Sequence, residues 1–233
     1  MKKLTIILVP VIILVLILAF IFTRNKKNTV NIPTETTKLS KEIELSADEK
    51  PLINLIPRAD GHELKLKITD IPSKFSTAEY ELIYTAEDEG LEIEKGVSGT
   101  IKLTSSSFEK DLLLGTSSCT NGCKYKYDEG ITGGVLTLTL TTDDKQYFTF
   151  ETPFVIKSSA QINKDKGFTL SQENFEVSAT TTTKNDFFIA IKNIKSAYSV
   201  FSNGNGNGKI TTIAPSTITK ENLNSLIGDY LIP

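Results

Sequence analysis

The chain has 233 residues, with 26 Lys and Arg against 28 Asp and Glu and a net charge of -2. Past residue 27 the balance is 21 basic against 28 acidic side chains, a net of -7, so the body repels nucleic acid and anionic lipid heads and neither is an expected partner there. A single histidine, His62, excludes multi-histidine metal centres and any histidine triad that does not use His62 itself.

Residues 1–3 form a short tail before the most apolar stretch of the chain, Leu4–Phe22. These residues carry no charge, and as a helix they span ~28 Å, close to the hydrocarbon thickness of a bilayer. Lys2 and Lys3 precede the stretch, and Arg24, Lys26 and Lys27 follow it. A cleaved signal peptide is the rival reading, but it needs small residues at its exit. The exit here reads Ala19-Phe20-Ile21-Phe22-Thr23-Arg24. The expectation is an uncleaved single-pass signal anchor in the cell membrane. The flanking charges are nearly balanced, so the positive-inside rule does not orient it. The short tail is placed in the cytoplasm and the acidic body outside. Residues 23–45 read as a polar stalk with no sustained apolar period, whose end at Ile43 and Leu45 is ready to pair as a first strand.

Residues 46–158 alternate apolar and polar side chains with period two. Leu64, Leu66 and Ile68 share one face, as do Tyr80, Leu82 and Tyr84, then Leu112 and Leu114, then Leu136, Leu138 and Leu140. Asp143-Asp144-Lys145 reads as a turn into Tyr147–Phe150, Pro153 as an interruption, and Phe154–Ile156 as the closing strand. This pattern predicts an antiparallel β-sandwich of immunoglobulin-like or fibronectin-like type. Within it, Cys119 and Cys123 flank Thr-Asn-Gly, a spacing that fits a tight turn closed by a disulfide. Free thiols, redox chemistry or a metal site are the alternatives; redox motifs use a two-residue spacing, and a metal needs further ligands. The paired sequences Asp88-Glu89-Gly90 and Asp128-Glu129-Gly130 read as turns, with acidic calcium loops as the functional alternative. His62 reads as an exposed residue at a strand start.

Residues 159–233 read as a second, smaller β-rich domain. Lys164–Gly167 is a turn, Phe175, Val177 and Ala179 alternate, and Phe187–Ile191 is the most apolar run and a central strand. Asn203–Gly208 reads as a hairpin tip between Tyr198–Phe201 and Ile210–Ile213. A short helix capped by Thr219 and ended by Gly228 is expected, followed by a last strand at Asp229–Ile232.

No nucleophile elbow, phosphate-binding glycine loop or His-Glu-x-x-His motif occurs. The chain is therefore expected to be no enzyme, with no cofactor and no bound metal. The anchor, stalk and sandwich layout resembles single-pass bacterial surface proteins that display immunoglobulin-like modules. The stretch Gly115–Leu138, GTSSCTNGCKYKYDEGITGGVLTL, resembles a pattern in uncharacterised exported proteins of ultra-small bacteria. The resemblance implies a surface interaction or structural module with a protein or glycan partner, and it implies no activity. Alternative readings are an accessory subunit of a secretion or pilus-type envelope complex, and a carbohydrate-active enzyme built on two carboxylates.

Overall fold

The computed structural model describes residues 41–169, 175–181, 185–194, 197–204, 206–212, 218–223 and 225–231. The expected anchor Leu4–Phe22, its basic flanks and the stalk up to residue 40 lie outside them. Among the described residues no helix is long and apolar enough to cross a membrane.

The described chain is all-β, with antiparallel sheets and one short helix. It enters through β1 (Lys41–Glu42) and a 3-10 turn at Ala47–Glu49, then runs into β2 (Leu52–Pro57) and β3 (Glu63–Thr69). The period-two pattern is obeyed in both strands: Ile53, Leu55, Leu64, Leu66 and Ile68 are fully buried. A long hairpin follows, β4 (Phe75–Asp88) and β5 (Leu91–Lys102). Glu89 and Gly90 turn it with φ of 52° and 81°, the left-handed geometry that matches the twist of the flanking strands. Next come β6 (Phe108–Leu113), β7 (Gly115–Cys119), β8 (Cys123–Tyr127), β9 (Glu129–Thr142) and β10 (Gln146–Ser158).

Helix α1 (Ser159–Asp165) starts at a capping box in which the Ser158 hydroxyl accepts from the Gln161 N–H, and Lys166 ends it in the left-handed conformation at φ 58°. The remaining strands are β11 (Phe168–Thr169), β12 (Phe175–Thr181), β13 (Phe187–Asn193), β14 (Ala197–Ser202), β15 (Asn207–Thr212), β16 (Ile218–Leu223) and β17 (Gly228–Leu231).

One large sheet runs in the order β17-β14-β13-β10-β9-β4-β5, with β1 adding in parallel to β10. Two small sheets, β2-β3-β6 and β11-β12-β15-β16, complete the body, and β7 and β8 pair only with each other among the described residues. The first core joins β2, β3 and β6 to β4, β9 and β10 through residues such as Leu55, Leu66, Leu82 and Leu138. The second joins β12 and α1 to β13, β14 and β17 through Phe175, Ile162, Phe188 and Tyr198. Strand β13 serves both: Ile189 and Ile191 point into the first core, Phe188 and Ala190 into the second. A strand buried on both faces reads as a continuous apolar run, which is why Phe187–Ile191 lacks alternation. Each fully buried Leu, Ile or Phe contributes about 1.5–3 kcal/mol, whereas an exposed ion pair such as Lys65–Asp111 is screened by water and adds little. The cores, not the surface charges, hold the body.

Several expectations are corrected. The helix expected from Thr219 to Gly228 is instead strand β16, in register with β15 from Gly208↔Leu223 to Thr212↔Ile218, followed by β17. A helix of that length is marginal by itself, and the backbone edge of β15 offers ladder partners, with one register shift between Gly208 and Ile210. Pro153 does not interrupt its strand. β13 joins β10 only from Phe154 onward, so the missing N–H removes no bond from that ladder. The Thr152 hydroxyl instead donates to the Lys192 carbonyl at 2.7 Å. β14 and β15 are not the two arms of a hairpin with its tip at Asn203–Gly208: β14 lies in the large sheet and β15 in the four-stranded one. The Asn203 side chain accepts the Phe187 N–H at 2.7 Å, and the Gly206 carbonyl accepts the Leu226 N–H at 2.8 Å. The boundary placed at 158/159 does not separate two sheets, since β10 before it pairs with β13 after it.

Candidate functional site: an aromatic hairpin beside a polar cleft

Strands β7 and β8 form a two-stranded hairpin in register from Gly115↔Tyr127 to Cys119↔Cys123. The cysteines are joined in a disulfide with Cα atoms 4.1 Å apart, so the expected bond closes the tip around Asn121-Gly122. At the base, Gly115 has φ 151°, and a Cβ there would lie 2.3 Å from the Lys126 carbonyl oxygen. Only glycine lets the two strands approach so closely.

Alternation along β8 puts Tyr125 and Tyr127 on one face and Lys124 and Lys126 on the other. Tyr125 is 51% exposed, one of the few large hydrophobic side chains facing water. The His62 ring stacks on Tyr127 with centroids 3.7 Å apart, and Tyr127 lies parallel to Tyr125 at 6.0 Å. Three rings thus stand nearly parallel, with interplanar angles of 11° for His62–Tyr127 and 4° for Tyr125–Tyr127, from the start of β3 to the outer part of the hairpin.

Below this column is an open cleft of about 420 Å³, lined by Asp60, His62, Glu129, Gln161 and Phe187 among others. Its rim charges are organised by Arg58. The guanidinium grips Asp60, with Nε to Oδ1 at 2.9 Å and a second nitrogen to Oδ2 at 2.6 Å, and also pairs with Glu63. The Arg58 hydrogen bonds, helped by the His62 backbone N–H, hold the Asp60 carboxyl down at about 2.

Asp128 forms the floor where β8 passes into β9. Its side chain is only 4% exposed. It accepts the Tyr84 hydroxyl at 2.7 Å and the Lys95 ammonium at 2.5 Å. Burial and the neighbouring carboxylate push the Tyr84 phenol well above its ordinary value. Two of the three carboxylates that line the cleft, Asp60 and Asp128, are therefore committed as acceptors to fixed cations, and Glu129 is the third. The arrangement can hold a polar or planar ligand by stacking and hydrogen bonding. It offers no unengaged acid–base pair in Asp60 and Asp128.

The two acidic sequences that look alike are used differently. Asp88-Glu89-Gly90 is the β4–β5 turn, with Asp88 3.7 Å from Lys126. Asp128 is instead a buried anchor, not a turn residue. Among the described residues no group of three His, Cys, Asp or Glu side chains is placed to hold a metal ion. His62 does lie at a strand start, half-exposed, and its stacking on Tyr127 was not foreseen. Nor were the roles of Arg58, Asp60, Lys95 and Tyr125. The alternating Lys-Tyr-Lys-Tyr of β8 is the one local signal that could have placed two tyrosines on a common face.

No protein-family model matches the chain, and no curated protein or solved structure matches it.

Proposed function

We propose that this chain is a non-catalytic, membrane-tethered surface module, immunoglobulin-like in character, whose contact end is the β7–β8 hairpin and the cleft beside it. The observation that carries the reading is the Tyr125–Tyr127–His62 column on a projecting, disulfide-closed hairpin. Aromatic side chains exposed beside polar groups supply contact area at low entropy cost, for a glycan ring or for an apolar residue of a protein partner. The apolar stretch Leu4–Phe22 supplies the tether, and the formed disulfide agrees with an oxidising, extracytoplasmic location. The engagement of Asp60 by Arg58 and of Asp128 by Lys95 supports binding over catalysis.

The test uses cells that express the full chain. Cells carrying wild type and cells carrying Tyr125→Ala with Tyr127→Ala are compared for association with neighbouring cells and surface polymers at equal display. Association should fall to background in the variant. Equal association by both would remove the hairpin from the contact role.

A further inference from the structure

Strand β5 ends the large sheet, and among the described residues nothing pairs with its outer edge. The edge is twelve residues long, Leu91–Lys102, in unbroken register with β4. Long open edges invite pairing, and natural proteins guard them with proline, bulges or an inward charge. β5 carries no proline and no register shift against β4. Its inward charge, Lys95, is already neutralised by Asp128. Leu91 stands 69% exposed at one end, and Ile93, Val97 and Ile101 are only partly covered by the first core.

We infer that β5 is a self-pairing edge, and that two copies of the chain join antiparallel through it about a two-fold axis at Val97. An axis on a residue sets side chains of like parity opposite each other, so core-side residues meet core-side residues and outward-pointing backbone groups meet their equivalents. With the axis on Val97, Val97 faces its own mate and Ile93 faces Ile101 of the second copy. Exposed Leu91 faces Leu103, and Glu92 faces Lys102, twice by symmetry. Lys95 meets Gly99, which adds no side chain. Moving the axis by one residue to Gly96 sets Lys95 against Val97, and moving it to Ser98 sets Lys95 against Ile101, so of these three registers the one at Val97 is complementary along its length. The pairing adds about a dozen backbone hydrogen bonds and uses none of the cleft residues.

The full chain in detergent micelles tests this. The native cysteines are both in the disulfide, so one introduced cysteine is the only free thiol. Val97→Cys should oxidise to a covalent dimer. Glu94→Cys should not, because it faces Thr100 and lies about 20 Å from its own mate. Glu92→Lys and Lys102→Glu should each weaken dimerisation about tenfold or more, and the two together should restore it, with circular dichroism unchanged. A monomer at all concentrations, equal cross-linking at 97 and 94, or a charge swap that fails to rescue would each overturn the proposal.

Discussion

Replacing Lys95 by Met isolates the contribution of the cation that pairs with Asp128. Asp128 is 4% exposed and Lys95 26% exposed, with 2.5 Å between Nζ and Oδ1. Removing one member of a buried ion pair costs roughly 3–5 kcal/mol, because the remaining charge keeps its desolvation penalty without its partner. Lys95 retains some water, which screens the pair, so the lower end applies, about 3 kcal/mol. For a body of this size each kcal/mol moves Tm by about 2–4 °C, which puts the expected drop at roughly 6–12 °C. Adding Asp128→Asn removes the stranded charge and leaves an acceptor for the Tyr84 hydroxyl, so about half of the loss should return. Thermal unfolding followed by circular dichroism at neutral pH reads both. A Lys95→Met protein within ~1 kcal/mol of wild type would refute the claim that this pair is buried and coupled.

Other outcomes follow from single residues. Asn193, 3% exposed, accepts the Ile53 N–H at 3.3 Å and donates to the Ile53 carbonyl at 2.8 Å. Asn193→Ala should cost about 2–3 kcal/mol in urea unfolding, because two buried backbone groups lose their partner. Reducing Cys119–Cys123 should leave the main unfolding transition nearly unmoved, since the hairpin buries little of either core. Amide exchange should accelerate over residues 115–127; an equal acceleration in β9 would contradict this. The Tyr84 phenol is raised in the folded state above its unfolded value of about 10. Its contribution is therefore full below pH ~10 and is lost as pH climbs toward the folded value, because the unfolded chain releases the proton first. Tyr84→Phe should lower stability at pH 8 and flatten the decline between pH 10 and 12; parallel curves for the two proteins would refute this.

The strands were legible wherever one face is wet. The alternation of Leu64, Leu66 and Ile68, or of Leu136, Leu138 and Leu140, records burial on one side directly. Phe187–Ile191 announced a central strand by its unbroken apolar run, but which sheets it would join depends on pairing partners distant in sequence. That is why a boundary at 158/159 looked natural while β13 connects both cores. Thr219–Gly228 carried helix caps, yet local propensity lost to an open strand edge. The true helix was signalled by Ser158 and Gln161, three residues apart as a capping box requires. Of the candidate site, the cysteine pair was readable because its geometry is local. The rest was not: His62 meets Tyr127 because the β7–β8 hairpin folds back over the start of β3, and Lys95 meets Asp128 because β5 pairs with β4, which sets Lys95 beside Tyr84 and within reach of the β8–β9 junction.

The most direct test of the account is protease treatment of intact cells that express the full chain, followed by mass mapping of what is released. The account predicts release of a soluble, folded fragment beginning after the basic residues that follow Phe22 and containing the Cys119–Cys123 disulfide. A chain fully protected until the cells are lysed, or one found free in the medium without treatment, would contradict a body moored on the outside by Leu4–Phe22.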